Sequence, residues 1–177
     1  MLKNTTSHYG SISKGFHWLI SLLVLGMLIA GFTMANMESS PLRSSISDTH
    51  KSLGILILAL MVLRLLWRWM NTTPVLPLST PMWEKFASKF GHYAFYFLLI
   101  AMPLTGWIMG SAAGRPPEFF GLFTMPNLVM ENRELGSFMR QLHGIFAYSL
   151  VVLIVLHFLA AMKHHFVSKN DVLKRMI

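Results

Sequence analysis

The stretch L-H-G-I-F-A-Y-S-L-V-V-L-I-V-L-H-F-L-A-A-M, residues 142–162, decides the fold of this chain. It holds no Asp, Glu, Lys or Arg, and it matches the ~20 residues that a helix needs to cross a bilayer. Two histidines, His143 and His157, lie fourteen residues apart within it. In a helix that spacing leaves the two imidazoles about 40° apart in azimuth and about 21 Å apart along the axis. One spanning helix would therefore offer an imidazole near each face of a membrane.

The rest of the chain repeats this apolar character. Its 177 residues are 54% hydrophobic, which is too apolar for a soluble domain of this size. Four apolar runs are long enough to span a bilayer, and they predict helices over residues 13–37, 50–70, 91–113 and 140–166. We therefore expect an all-α integral membrane four-helix bundle with up-down-up-down topology, forming a single domain over residues 1–177.

The charges predict how the bundle sits in the membrane. Fifteen Lys and Arg against seven Asp and Glu give a net charge of +8, but these charges flank the apolar runs and so indicate no nucleic-acid surface. The end that carries both termini holds most of the basic residues: Lys3, Lys14, Arg68, Lys85, Lys89, Lys163, Lys169, Lys174 and Arg175. The positive-inside rule then predicts that both termini are cytoplasmic.

Threading the four helices up and down sorts the histidines into two levels. His50 would lie level with His143 on the outer side, and His17 level with His157 on the inner side. A single histidine at such a depth could be a polar residue at a helix end, but two matched pairs indicate ligands. Haem b needs only two axial nitrogens, which helical bundles supply from facing helices.

The sequence thus predicts two haem b groups that are held without covalent bonds, since the chain has no cysteine. The predicted axial ligands are His17, His50, His143 and His157. His92 is the alternative to His17 on the inner side, and it ranks second because it lies nearer the predicted start of the third helix.

Several cations and polar residues are candidates for contacts with these groups. Arg64 lies fourteen residues after His50, so it should face a haem propionate or a quinone headgroup, unless it extends to the surface. Lys51 and Arg140 could meet propionates on the outer side or serve as interfacial anchors. His164 is a candidate quinone contact, beside Ser13 and Lys14, with a basic cluster that binds anionic lipid as the alternative.

In their order and spacing, the motifs of this chain resemble the bacterial cytochrome b561 family. The motifs are H-W-L at His17, T-H-K-S-L-G at His50, V-L-R-L-L-W-R around Arg64, P-L-T-G-W at Pro103, F-F-G-L near Phe120, and L-H-F-L-A-A-M-K-H-H-F followed by D-V-L-K-R-M. The resemblance implies a two-haem protein of the bacterial cytoplasmic membrane that exchanges electrons with quinone.

Some relatives of this kind are superoxide oxidases, which pass an electron from superoxide outside to ubiquinone near the cytoplasmic side. Carried over by position, this resemblance implies haem ligands at His17, His50, His143 and His157 and a quinone neighbourhood around His164. An anionic donor would be attracted by outer cations, for which Lys51, Arg115 and Arg140 are the candidates, although the outer loops are formally neutral.

These features leave three hypotheses for the function. Bis-histidine ligation leaves no open iron position, which favours outer-sphere electron transfer. The first hypothesis is therefore an oxidoreductase that carries electrons from a small outer reductant, with superoxide as the candidate, to membrane quinone. The second is an anchor subunit that passes electrons between a partner dehydrogenase or hydrogenase and quinone. The third is a haem-free transporter whose histidines relay protons.

Overall fold

The computed structural model describes residues 1–177 and contains four long helices. They are α1 (Ser11–Ala35), α2 (Pro41–Trp69), α3 (Met82–Ala112) and α4 (Arg133–Met162). A π-helical turn, Lys163–Val167, continues α4, and a short 3-10 turn, Leu173–Arg175, follows it. Each of the four helices is long and apolar enough to cross a membrane. The predicted all-α membrane architecture is thereby confirmed.

Three of the helices, α2, α3 and α4, begin well before the apolar runs that predicted them, and polar side chains cap two of these starts. The Ser40 side chain accepts a hydrogen bond from the Arg43 N–H, and Pro41 occupies the first helical position of α2. At α4, the Asn132 side chain accepts from the Leu135 N–H in the same way. Hydropathy marks only the lipid-spanning part of such a helix, so it places the helix start too late.

The buried core lies midway along the bundle and draws on all four helices. It consists of Ile20, Val24 and Leu28 from α1, Ile57 and Met61 from α2, Leu98 and Leu99 from α3, and Leu150 from α4. Leu150 is the one fully buried residue of α4, whose other apolar side chains are largely exposed at the protein surface. Such a surface suits lipid rather than water as its solvent.

One end of the bundle, which we call the hairpin end, carries the connection from α3 to α4. This connection forms a short antiparallel hairpin of β1 (Glu118–Phe119) and β2 (Phe123–Thr124). Ser52 of α2 fastens the hairpin: its hydroxyl donates to the Glu118 carbonyl at 2.7 Å and accepts from the Phe120 N–H at 3.1 Å. The connection between α3 and α4 is therefore fastened to the side of α2 by hydrogen bonds.

The opposite end, which we call the termini end, carries both chain termini and the connection from α2 to α3. Here the Asn4 side chain donates to the Thr72 carbonyl at 2.9 Å, and the Val75 N–H donates to the Thr6 carbonyl at 3.1 Å. Arg175 also donates to the carbonyl of Val75, at 2.6 Å. Three separate segments thus close this end of the bundle.

Candidate functional site

Two imidazoles face each other at the hairpin end. His50 of α2 and His143 of α4 have ring centroids 6.3 Å apart, with their planes at 64°. Two imidazoles bound to opposite faces of one iron have centroids about 6 Å apart, given about 2 Å from each nitrogen to the metal plus the ring radius. This pair therefore has the separation that axial ligation of one haem requires.

The orientation of His143 is held by α3. Its Nδ1 lies 3.1 Å from the Met102 carbonyl oxygen and 3.0 Å from the Thr105 hydroxyl. Because a carbonyl oxygen can only accept, Nδ1 carries the proton and Nε2 is left as a free base. A histidine that donates from one nitrogen to a carbonyl and binds metal through the other is the usual arrangement of a metal ligand.

We expect Thr105→Val to keep haem at this site but to raise its midpoint potential by a few tens of millivolts, because His143 loses one acceptor of its Nδ1–H and becomes less basic. Redox titration measures the shift. Thr33→Val is the matched control, since Thr33 is an exposed residue of α1 with no side-chain hydrogen bond. Equal potentials in the two variants would show that Thr105 does not tune the ligand.

Glycines leave room beside both imidazoles of this pair. A Cβ at Gly31 of α1 would lie 3.4 Å from Cε1 of His50, and a Cβ at Gly106 of α3 would lie 3.4 Å from Cε1 of His143. A glycine inside a helix costs about 1 kcal/mol relative to alanine, so close passage of a flat ligand would explain both positions. The Nδ1 of His50 is also buried with no hydrogen-bond partner, as expected of a ring with a role beyond packing.

The same residues suit haem better than a bare metal ion. The chain has no group of three or more His, Cys, Asp or Glu side chains that could hold an ion. Two neutral imidazoles across a gap supply the axial positions of a haem iron, whose other ligands belong to the macrocycle. The donor set at the hairpin end therefore fits haem b.

Three imidazoles, rather than two, meet at the termini end. His157 of α4 lies 6.2 Å from His17 of α1 and 6.5 Å from His92 of α3, measured between ring centroids. Phe95 of α3 also packs edge-on against the His157 ring at 5.3 Å. Both separations suit a pair of axial ligands, so distance does not choose between His17 and His92.

The depth of His92 differs from what its sequence position suggests. The prediction that it lies near the start of the third helix is wrong, because α3 begins at Met82 and His92 lies ten residues inside it. His17 lies six residues inside α1, which begins at Ser11. Depth within the helix therefore does not favour His17 over His92 as the partner of His157.

Arg64 and Arg68 form an uncompensated pair of cations beside these imidazoles. Both guanidinium groups lie over the ring of Tyr96, at 5.9 and 5.5 Å from its centroid. Arg64 is also close enough to His17 and His157 for its charge to act on them. Both arginines are half-buried, and neither has a carboxylate or hydrogen-bond partner in the protein. Half-buried cations without a counter-charge in the protein are favourable sites for binding an anion.

Tyr9 of the N-terminal segment lies within electrostatic range of this arginine pair. Burial raises the pKa of the Tyr9 phenol, against the opposing effect of the nearby Arg68 charge. Arg64 was predicted from the sequence to face a propionate or a quinone, whereas Arg68 was not. The signal was present, because residues four apart share one face of a helix. A haem propionate or the headgroup of a quinone has the polarity that these two cations would accept.

The candidate quinone contacts Ser13, Lys14 and His164 form hydrogen bonds with different residues and not with one another. The Ser13 hydroxyl donates to Asn4 Oδ1 at 2.7 Å and accepts from Trp67 Nε1 at 3.1 Å. Lys14 donates to the backbone oxygen of Ile177 at 2.5 Å. No hydrogen bond joins His164 to Ser13 or Lys14, with which the sequence analysis grouped it.

His164 instead faces an acid that the sequence analysis did not consider. Its Nε2 lies 3.7 Å from Oε2 of Glu84, which α3 carries in its first turn. The available signal was weak, because acidic residues are common in the first turn of any helix. Only the packing of α3 against the end of α4 brings this acid to the histidine.

The three cations that were predicted to lie on the outer side are not equivalent. Lys51 is paired with Asp48 at 3.1 Å, which offsets its charge. Arg115 and Arg140 are exposed, and their side chains form no hydrogen bond or ion pair. Of the predicted cations at the hairpin end, these two arginines retain a free charge that could attract an anion.

Comparison with known proteins finds relatives along nearly the whole chain. Residues 8–177 match a family model described as prokaryotic cytochrome b561. The chain is 39% identical over 176 residues to cytochrome b561 homolog 2 of Escherichia coli K12, covering 98% of this chain and 93% of that protein. It is 34% identical over 170 residues to the probable superoxide oxidase CybB of Yersinia pestis, covering 96% and 95% respectively.

Proposed function

Because the chain belongs to the prokaryotic cytochrome b561 family, we propose that it carries electrons through two haems from superoxide at the hairpin end to ubiquinone at the termini end. Family membership itself makes the chain a multi-pass bacterial membrane protein that binds b-type haem and transfers electrons across the membrane. We propose, beyond this, the number of haems, their ligands, the electron donor and the electron acceptor.

The observation that carries the proposal is the presence of close imidazole pairs at both ends of one bundle. We assign His50 and His143 to the hairpin-end haem, and His17 and His157 to the termini-end haem, with His92 as the alternative to His17. Bound haem supplies a one-electron carrier at each level. With a pair of histidines as ligands, each haem would exchange electrons through its edge and would not bind a reactant at iron.

The termini end provides the polar surroundings for the acceptor. Under the positive-inside rule this end faces the cytoplasm, because it carries the excess of Lys and Arg. Arg64, with Arg68 beside it, would hold a propionate or the quinone headgroup through charge-assisted hydrogen bonds. His164, Ser13 and Lys14 belong to the same end and remain the candidate quinone contacts. The acceptor would thus lie within reach of aqueous protons.

The donor is proposed to be superoxide because a relative that shares most of the chain is named a probable superoxide oxidase. Superoxide loses one electron to become dioxygen, so the protein needs no proton at the hairpin end. Arg115 and Arg140 would raise the local concentration of this anion through their unpaired charges. The reaction is then a superoxide:ubiquinone oxidoreduction.

Rapid mixing tests this function. Superoxide is expected to reduce the haem of the purified oxidised protein in the absence of quinone, and ubiquinone added afterwards should reoxidise it. Neutralising both free arginines, by Arg115→Gln with Arg140→Gln, should slow the first step several-fold at low ionic strength, and this difference should vanish at high salt.

The matched control for these arginines is Lys169→Gln with Lys174→Gln, which removes the same charge from the termini end. This double variant should react with superoxide at the parental rate at every ionic strength. Haem that superoxide does not reduce would refute the donor assignment. If a co-purifying redox subunit reduced that haem instead, the protein would be an anchor subunit.

A further inference from the structure

Glu84 is the one buried carboxylate of this protein. It lies in the first turn of α3 at the termini end, and its residue is 9% exposed. Two basic side chains from the π-turn after α4 approach different oxygens of this carboxylate. Lys163 Nζ lies 2.6 Å from Oε1, and His164 Nε2 lies 3.7 Å from Oε2. No other side chain forms an ion pair or hydrogen bond with Glu84.

The protonation of His164 follows from its second partner, Asn170. The amide nitrogen of Asn170 donates to His164 Nδ1 at 3.0 Å, while the amide oxygen accepts from the Val172 N–H at 3.3 Å. The backbone donor fixes which amide atom faces the ring, so Nδ1 is an acceptor and Nε2 carries the proton. At 3.7 Å the Glu84 oxygen is too far for a hydrogen bond. The Nε2–H is therefore free to donate to a ligand.

The position of this cluster suits a reaction that joins electrons to protons. His164 lies seven residues beyond His157 on one continuous helical segment, about 10 Å further along its axis. Lys163 is 40% exposed, while His164 is 12% exposed, so the cluster runs from water toward the interior. Buried ionisable groups in membrane proteins are costly and often form proton relays. π-helical turns are likewise frequent at functional sites.

We propose that Glu84 delivers a proton to the quinone oxygen that the His164 Nε2–H holds, and that Lys163 reloads Glu84 from the aqueous side. This inference rests on the proposed function, which supplies two electrons to ubiquinone, one at a time, from the outer reductant. As the held oxygen gains charge, an N–H bond of Lys163 breaks and Oε1 takes the proton. The carboxyl group then turns about its Cγ–Cδ bond so that this O–H faces the quinone. The O–H bond of Glu84 breaks, and a new O–H bond forms on the quinone oxygen.

The electrons and protons of this reaction balance without a further redox partner. The second quinone oxygen takes its proton from water, so two electrons and two protons convert ubiquinone to ubiquinol. Lys163 regains its proton from water at its exposed side. A carboxylate with two oxygens facing two different partners can pass a proton between them, whereas an amide in its place cannot accept the proton from Lys163.

The test compares two acceptors in chemically reduced protein. Ubiquinone needs protons, whereas ferricyanide takes one electron and none. Glu84→Gln should slow reoxidation by ubiquinone roughly tenfold to hundredfold and leave reoxidation by ferricyanide unchanged. Glu84→Asp should restore much of the quinone rate. The haem spectrum and the ferricyanide rate report whether each variant is folded and loaded.

Three further variants separate a proton relay from a structural ion pair. Lys163→Met breaks the same ion pair but keeps the carboxyl group, so its quinone rate should recover at low pH, where water protonates Glu84 directly. Glu84→Gln should not recover at any pH. His165→Asn, in the same π-turn, and Glu134→Gln, an exposed acid at the hairpin end, are the matched controls and should keep the parental quinone rate.

The outcomes that overturn the proposal are distinct. Equal quinone rates in Glu84→Gln and Glu134→Gln would refute the role of Glu84, as would identical pH profiles for Glu84→Gln and Lys163→Met. Reduced parental protein that ubiquinone fails to reoxidise would instead refute the proposed function. A loss of both the quinone rate and the ferricyanide rate in Glu84→Gln, with Glu84→Asp also inactive, would show that the residue is purely structural.

Discussion

Replacing His157 with alanine is expected to halve the haem content and to reduce quinone-linked electron transfer to the background rate. His157 lies within axial-ligand distance of both His17 and His92, so either assignment of its partner requires it. His143→Ala should remove the other haem, because His50 has no second imidazole at the hairpin end. Reduced-minus-oxidised spectra and the ratio of haem to protein measure both effects.

The partner of His157 is decided by comparing His17→Ala with His92→Ala. We expect His17→Ala to lose the termini-end haem and His92→Ala to keep both haems. The ground is the packing of Phe95, which belongs to the same helix as His92 and lies edge-on against the His157 ring, on the side from which His92 would approach. One haem in His92→Ala, together with two in His17→Ala, would reverse the assignment.

The control for these alanine variants is His8→Ala. His8 is exposed on the N-terminal segment and bonds only with its neighbours Thr5 and Ser7. Its removal should leave haem content, spectra and quinone-linked rates unchanged. Loss of an axial histidine should remove one whole haem, and loss of a surface histidine should remove none. Partial loss of haem in every variant would therefore indicate a damaged protein rather than a missing ligand.

Gly31→Leu is expected to abolish haem binding at the hairpin end while leaving the termini-end haem in place. A Cβ at residue 31 would already lie 3.4 Å from Cε1 of His50, and three further carbon atoms would extend into the space beside that imidazole. Cores resist such overpacking at a cost of about 1–3 kcal/mol, and a rigid macrocycle cannot move aside as a side chain can. The measurement is again the haem content and the difference spectrum.

Gly26→Leu on the same helix is the matched control. A Cβ at Gly26 meets nothing within 4 Å, and the residue is exposed on the outer face of α1. The substitution is identical in its effect on helix propensity, so it separates the general effect of leucine in α1 from filling of the site. Two haems in both variants would show that Gly31 does not make room for the cofactor.

The number of spanning helices and the two levels of histidine were predictable because both are local properties. The length and apolar character of residues 142–162 indicate a span whatever the rest of the chain does. The fourteen-residue spacing of His143 and His157 gives their levels from helix geometry alone. The pairing of His50 with His143 then needed only an alternating direction of the helices, and the structure brings those two rings together.

The helix starts were less predictable because hydropathy does not report capping. Ser40 and Asn132 begin α2 and α4 in polar sequence, ahead of the apolar runs. The helix α3 also begins ahead of its apolar run, at Met82, directly after Pro81 and without a side-chain cap. This extension carries His92 into the bundle and adds Glu84 to the termini end, so a shift in one boundary changed the list of candidate site residues.

The sequence by itself determined that this chain crosses a membrane four times and presents imidazoles at two depths, because helix length and periodicity depend on neighbours along the chain. Only the tertiary structure decided that His17, His92 and His157 meet, that Arg64 and Arg68 lack counter-charges, and that Glu84 is buried against Lys163 and His164. Those relations join residues on different helices. They depend on where each helix begins and how it packs against the others. Neither property can be predicted from a local sequence pattern.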